Sequence, residues 1–100
     1  MAQVIWTDPA IADLDAIADY IALDNTAAAR DLVARVVRHV GQLARHPRSG
    51  PRLPELPRDR FRQLIEPPFR IVYRQDGDRV LILHVMRGEQ MLRRDHLGRG

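Results

Sequence analysis

The sequence of 100 residues contains no cysteine and no lysine. Without cysteine there can be no disulfide framework and no thiolate metal site, which fits a reducing compartment. No apolar stretch approaches the ~20 residues of a membrane-spanning helix, and the N-terminus lacks the basic-then-apolar pattern of a signal peptide. We expect a single cytoplasmic domain over residues 1–100, because a chain of this size buries roughly two thirds of its unfolded surface.

The charge of the chain is divided between its two parts. Residues 1–29 contain five aspartates and no basic residue, whereas residues 30–100 contain all 16 arginines and eight acidic residues, so the net charges are −5 and +8. A GC-rich genome would explain the exclusive use of arginine. A preference for the rigid guanidinium fork at an anion-binding surface would explain it too, and the two explanations are compatible. The basic part predicts an acidic or anionic partner.

The first half of the sequence predicts a short strand and two helices. After the β-prone run Val4–Trp6, Asp8 is a good N-cap and Pro9 is tolerated in the first turn. Asp24-Asn25 interrupts the helical pattern and can cap a second helix, which Pro47 ends. So short a link predicts an antiparallel helical hairpin. The apolar positions at helical spacing are Ile11, Leu14, Ile17, Ala18 and Ile21, then Leu32, Val33, Val36, Val40 and Leu43.

The second half predicts three strands after an irregular loop. The loop, Pro47–Arg60, contains four prolines and cannot form regular structure. The apolar runs that follow are separated by Pro-Pro and by the turn Gln75–Asp78, whose Asp-Gly pair is a strong hairpin signal. The last run is apolar at both parities over Val80–Val85, which is typical of a central strand covered on both faces. The three predicted strands are Phe61–Ile65, Phe69–Arg74 and Val80–Met86.

These elements predict an α+β fold. The order is β-α-α-β-β-β, with the N-terminal helical hairpin packed on a four-stranded, mainly antiparallel sheet in two layers. We expect a core over residues 1–87 and a C-terminal tail over residues 88–100.

The order, the length and several local strings resemble the RelE/ParE superfamily of toxins from bacterial type II toxin–antitoxin systems, and the first half is most similar to the ParE and plasmid-stabilisation branch. The similarity covers about nine tenths of the chain. The matching strings are Trp6 ahead of Asp8–Asn25, then Ala27–Pro47, Pro54–Pro57 (PELP), Phe61–Arg74 and Val80–Glu89.

The resemblance implies a growth-inhibiting toxin held in a hetero-oligomer by an acidic, ParD- or RelB-like antitoxin. ParE-type members of the superfamily poison DNA gyrase, whereas RelE-type members enter the ribosome and cut mRNA. Fold does not choose between these activities, so individual residues must do so. A degenerate toxin that retains only antitoxin binding is a third alternative.

The nuclease alternative needs cations that hold phosphate and a group that transfers protons. Arg70 matches the strand arginine that RelE-like nucleases use on phosphate, and Arg87 is a second candidate. His84 and Glu66 are candidate acid–base groups. However, a histidine inside an apolar strand is more often a hydrogen-bonded structural residue, and Glu66 before Pro-Pro is most simply a turn residue. Tyr73 is most simply a packed aromatic.

The segment after the last strand departs from the nuclease pattern. RelE-like nucleases tend to carry a tyrosine or histidine there, whereas this chain has Met91–Arg94, and only His96 remains as a substitute. We therefore favour gyrase binding over catalysis. The arginines expected to contact the target are Arg62, Arg70, Arg74, Arg87, Arg93 and Arg94.

Two further features give weaker signals. The arginine-rich loop 45–62 is a candidate phosphate-binding patch with salt-dependent affinity, although it lacks interleaved aromatic residues for base stacking. It is also explained as a solvated loop partly paired with the acidic first helix. His39 and His46 are separated by roughly two helical turns, about 10 Å, which is too far for easy shared ligation of a metal. We expect no metal and no cofactor.

Overall fold

A computed structural model describes residues 1–90 and 92 of the chain. Within this part, no helix is long and apolar enough to cross a membrane. The predicted α+β fold and its element order are confirmed. The elements are β1 (Gln3–Trp6), α1 (Asp8–Ala22), α2 (Thr26–Gly41) followed by a 3₁₀ turn (Gln42–Ala44), β2 (Phe61–Glu66), β3 (Phe69–Asp76) and β4 (Arg79–Arg87).

The helix boundaries differ from the prediction at two ends. The N-cap of α1 is Thr7 rather than Asp8, because the Thr7 hydroxyl accepts from the Ala10 amide at 3.4 Å and also donates to the Ile82 carbonyl at 2.6 Å. The second difference is at the C-terminus of α2, which ends at Gly41 and is followed by the 3₁₀ turn instead of continuing to Pro47. The start of α2 follows the prediction, with the Asn25 side chain accepting from the Ala28 amide at 3.0 Å.

The four strands have the order β1-β4-β3-β2, with β1 parallel to β4 and the other two pairings antiparallel. The predicted hairpin joins β3 to β4, and Gly77 adopts the positive φ of 64° that the turn requires. β3 extends into the predicted turn as far as Asp76, and β4 begins at Arg79, directly after that turn and one residue before the predicted start. Between Val72 and Tyr73 the register shifts, so β4 carries one extra residue.

The helical hairpin packs on one face of the sheet and forms the larger core. Leu14 of α1 and Val36 of α2 are buried there against Ile71 and Ile82. Ile11 was expected to face the core, but 44% of it is exposed, and Ala10 occupies the buried position instead. The remaining stripe positions Ile17 and Ile21 are partly buried, as are Val4 and Trp6 of β1.

The second face of the sheet is covered by the proline-rich loop rather than by a helix. Leu53 from this loop is fully buried in a smaller cluster with Val72 and Met86. The start of the loop also contacts the larger core, where the Gly50 amide donates to the hydroxyl of Tyr73 at 3.0 Å. The expectation that the last strand is covered on both faces is therefore confirmed. The other members of this cluster are Phe61, Leu92, Leu56 and Leu83.

Candidate functional site

The end of β4 carries His84, one of the predicted acid–base groups. β1 is short and pairs with β4 only as far as Ile82, so β4 continues beyond its parallel neighbour. Beyond Ile82 the edge of β4 is bonded by a side chain of α1 instead of by β1: the Val85 amide donates to Oδ2 of Asp13 at 3.1 Å. The same oxygen lies 2.9 Å from His84 Nδ1. His84 is thus hydrogen-bonded within the fold, and its catalytic role stays a prediction.

Arg70 occupies a different environment from the exposed arginine that target binding would use. Only 3% of the residue is exposed. Its guanidinium donates at 2.9 Å to Glu55 Oε1 and at 2.9 Å to the Gln63 side chain, and it also contacts the second oxygen of Glu55. A further bond reaches the carbonyl of Gln90. The charge of Arg70 is therefore neutralised inside the protein, and contact with a phosphate would require it to exchange partners.

Glu55 is a site residue that sequence reasoning did not find. Hydrogen bonds from Arg70, supported by the Leu92 amide at 3.1 Å, outweigh burial and hold the pKa of Glu55 at about 2. The PELP string contributes to the family resemblance, but its glutamate stands in an irregular loop 15 residues before its partner. No periodicity or spacing rule connects such a pair.

Arg87 lies on the opposite face of the sheet from Arg70. It is paired in register with Phe69, while Arg70 is paired with Met86, and neighbouring positions along a strand point to opposite faces. The Arg87 guanidinium lies 6.0 Å from the centre of the Phe69 ring and 2.9 Å from Glu89. The structure therefore does not bring the two candidate phosphate-binding arginines together on one face.

A groove of about 550 Å³ lies between the helical hairpin and the end of the sheet near Arg87. Its wall is mainly apolar and includes Ile17 and Phe69, and two arginines, Arg35 and Arg87, lie along it with Asp31. An apolar concavity lined by cations can accept an amphipathic, acidic polypeptide segment.

Two further candidate arginines, Arg62 and Arg74, lie within the described part of the chain. Arg62 donates to the Gly50 carbonyl at 2.8 Å and so holds the loop, and Arg74 is half-buried. Target binding by either residue stays a prediction. Arg93 and Arg94 lie outside the described residues, as does His96.

The remaining candidates, Tyr73 and Glu66, both make contacts that hold the fold together. Tyr73 is fully buried, and burial raises the pKa of its hydroxyl, which confirms its interpretation as a packed aromatic. Glu66 ends β2 and binds two residues of α2, Arg35 at 3.3 Å and His39 Nδ1 at 3.1 Å, so it is more than a turn residue. Within residues 1–90 and 92, no three metal-ligating side chains form a group.

Comparisons with known proteins agree with the fold and show the family. The family model described as the ParE toxin of the type II toxin–antitoxin system parDE matches residues 4–92. Toxin RelE2 of Caulobacter vibrioides is 37% identical over 89 residues, covering 87% of this chain and 92% of the relative. A solved structure titled as the chromosomal ParDE toxin–antitoxin system from P. aeruginosa superposes with a TM-score of 0.75 at 34% identity, covering 89% of this chain and 98% of that chain. The chain belongs to the ParE toxin family, within the RelE/ParE superfamily of type II toxin–antitoxin systems.

Proposed function

We propose that this toxin inhibits DNA gyrase by binding it, and that a cognate antitoxin blocks the inhibition. The observation that carries the proposal is the buried ion pair of Arg70 with Glu55. A nuclease of the RelE type would use this strand arginine on phosphate, but here its charge is committed to a carboxylate inside the fold. The match to ParE toxins points in the same direction. A binding mechanism needs only an exposed surface, and Arg87 supplies an exposed cation.

The test is a supercoiling assay with purified gyrase and purified toxin. Arg87→Ala is expected to raise the half-inhibitory concentration severalfold, because a distributed interface loses affinity in graded steps. Arg79→Ala is the matched control, since Arg79 is also exposed on β4 but lies at its other end. Full supercoiling activity at saturating wild-type toxin would contradict the proposal.

A ribosome-dependent mRNA interferase of the RelE type, which is a nuclease that cuts mRNA, is a second candidate function, and one contact favours it. The Asp13–His84 pair lies beside a cavity of about 200 Å³ that Gln90 also lines, and an imidazole held by a carboxylate is suited to proton transfer. In a translation extract, primer extension would then reveal codon-periodic mRNA cleavage, and His84→Gln would reduce the cleavage rate ~10²–10⁴-fold. If gyrase is the target, His84→Gln leaves growth inhibition largely intact.

For the antitoxin, we propose an acidic, amphipathic segment that lies in the groove beside Arg35 and Arg87. The groove combines apolar walls with exposed guanidinium groups, and residues 30–100 carry a net charge of +8. Added salt should slow association markedly, because exposed charges act mainly on the rate of encounter. Stopped-flow mixing of the two proteins over a range of salt concentrations measures this rate, and an association rate independent of salt would contradict the electrostatic part.

A further inference from the structure

Three segments that are separate in sequence meet at the Arg70 guanidinium. Arg70 itself lies on β3, Glu55 comes from the proline-rich loop, and the carbonyl of Gln90 comes from the chain just after β4. Glu55 contacts the same post-strand segment a second time by accepting from the Leu92 amide at 3.1 Å. One carboxylate and one guanidinium therefore hold the backbone of this segment at two points, the Gln90 carbonyl and the Leu92 amide.

The post-strand segment has few other attachments among the described residues. The Gly88 amide donates to the Pro68 carbonyl at 2.9 Å, and the Gln90 amide donates to the Arg87 carbonyl at 3.1 Å, which closes a local turn. The Leu92 side chain is 3% exposed within the cluster under the loop. Gly88, Glu89 and Gln90 are exposed. The bonds to Glu55 and Arg70 are thus the polar contacts that tie the end of this segment to the domain.

We propose that Glu55 and Arg70 are positioning residues that fix the backbone at Gln90 and Leu92, at the start of the C-terminal tail. The proposal rests on the proposed function, since the tail beyond Leu92 contains the candidate target-binding residues Arg93 and Arg94. Arg70 would then support target binding through the tail, without touching the target itself.

If the ion pair of Glu55 and Arg70 only filled the core, replacing it with apolar residues of similar volume would leave hydrogen exchange at the Leu92 amide unchanged. Exchanging such a pair for hydrophobic residues of similar volume is often neutral for stability. The double variant Glu55→Leu/Arg70→Met therefore removes the bonds to Gln90 and Leu92 while keeping the site filled. Glu55→Gln is a second, milder variant that keeps the shape of the side chain and removes its charge.

The experiment measures hydrogen exchange of individual backbone amides by NMR. In both variants the increase in exchange rate at the Leu92 amide should exceed the increase at the Val72 amide in β3 at least ~10-fold, because Leu92 loses a bond to a charged acceptor, whereas Val72 responds only to a change in global stability. Glu89→Gln is the matched control, since the Glu89 carboxylate pairs with Arg87, whereas the Leu92 amide donates to Glu55. Unchanged Leu92 exchange in both variants would overturn the proposal. If the double variant does not fold, Glu55→Gln alone decides it by the same criterion.

Supercoiling inhibition by the same variants separates this inference from the proposed function. Folded variants with faster Leu92 exchange are expected to inhibit gyrase severalfold more weakly than wild type. Full inhibition by a variant whose Leu92 amide is released would overturn the link between positioning and target binding. If the wild-type toxin itself does not inhibit gyrase, the proposed function fails, and the exchange measurement still decides whether Glu55 and Arg70 fix the tail.

Discussion

The two faces of the sheet are covered in different ways. One face receives a regular helical hairpin whose apolar residues pack on it in periodic rows, and Val36 and Val40 are almost completely buried there. The other receives a loop without regular structure, which inserts Leu53 and carries Glu55 to the buried arginine. The helix-covered face holds the larger apolar core, and the loop-covered face combines a smaller core with a charged pair.

Because its two faces are covered differently, one small sheet can both stabilise the domain and hold the backbone that follows β4 in place. The helix-covered face gains stability from burial of apolar surface, which depends little on direction. On the loop-covered face, hydrogen bonds to Arg70 and Glu55 have defined directions and fix the backbone at Gln90 and Leu92.

The largest expected effects compare one leucine from each face. Leu14→Ala and Leu53→Ala should each lower the free energy of unfolding by ~2–5 kcal/mol, because both side chains are buried and each truncation leaves a cavity. Urea unfolding measures both, with Leu23→Ala as the control, since 81% of Leu23 is exposed. An unchanged midpoint for Leu53→Ala would mean that the loop does not pack on the sheet in solution.

A smaller effect is expected where the loop meets Tyr73. Tyr73→Phe removes the acceptor of the Gly50 amide and leaves this buried donor without its bond, at a cost of ~1–3 kcal/mol in stability. Growth inhibition should be largely retained at temperatures where the variant is folded. Thermal unfolding and a growth assay together check both statements, and wild-type stability of Tyr73→Phe would contradict the bond.

The pH dependence of stability sharpens the contrast further. Because Arg70 and the Leu92 amide hold the pKa of Glu55 at about 2, below its ordinary value of 4.5, the unfolded chain takes up a proton at this group first as pH falls. The contribution of Glu55 is complete above pH 4.5 and is lost as pH falls towards 2. Urea unfolding of wild type and Glu55→Gln between pH 7 and 3 should give two curves that converge below pH 4.5. A constant difference at every pH would contradict the shift.

The smallest expected effect concerns the exposed ion pair of Arg87 and Glu89. Both side chains are mostly in solvent, at 60% and 70% exposure, so water and salt screen their attraction. Glu89→Gln should leave the unfolding midpoint within experimental error of wild type. A loss as large as that of Glu55→Gln would show that burial is not what distinguishes the two pairs.

The sequence by itself determined the regular part of this protein. The apolar rows of the helices, the Asp-Gly turn and the three apolar runs were sufficient for the α+β fold and the element order, because helix and strand periodicity is a local property. The boundaries were less exact at Thr7 and Gly41, where a hydroxyl competes with a neighbouring carboxylate for the cap and a helix tightens into a 3₁₀ turn.

Only the tertiary structure decided the contacts of the candidate site. The pairing of Arg70 with Glu55 and of His84 with Asp13 joins residues 15 and 71 positions apart, and the proline-rich loop has no period from which its packing could be inferred. Whether an arginine on a strand meets solvent or a buried carboxylate depends on what covers that face of the sheet. The strand pattern fixes which face Arg70 is on, and the path of the loop fixes what it binds there.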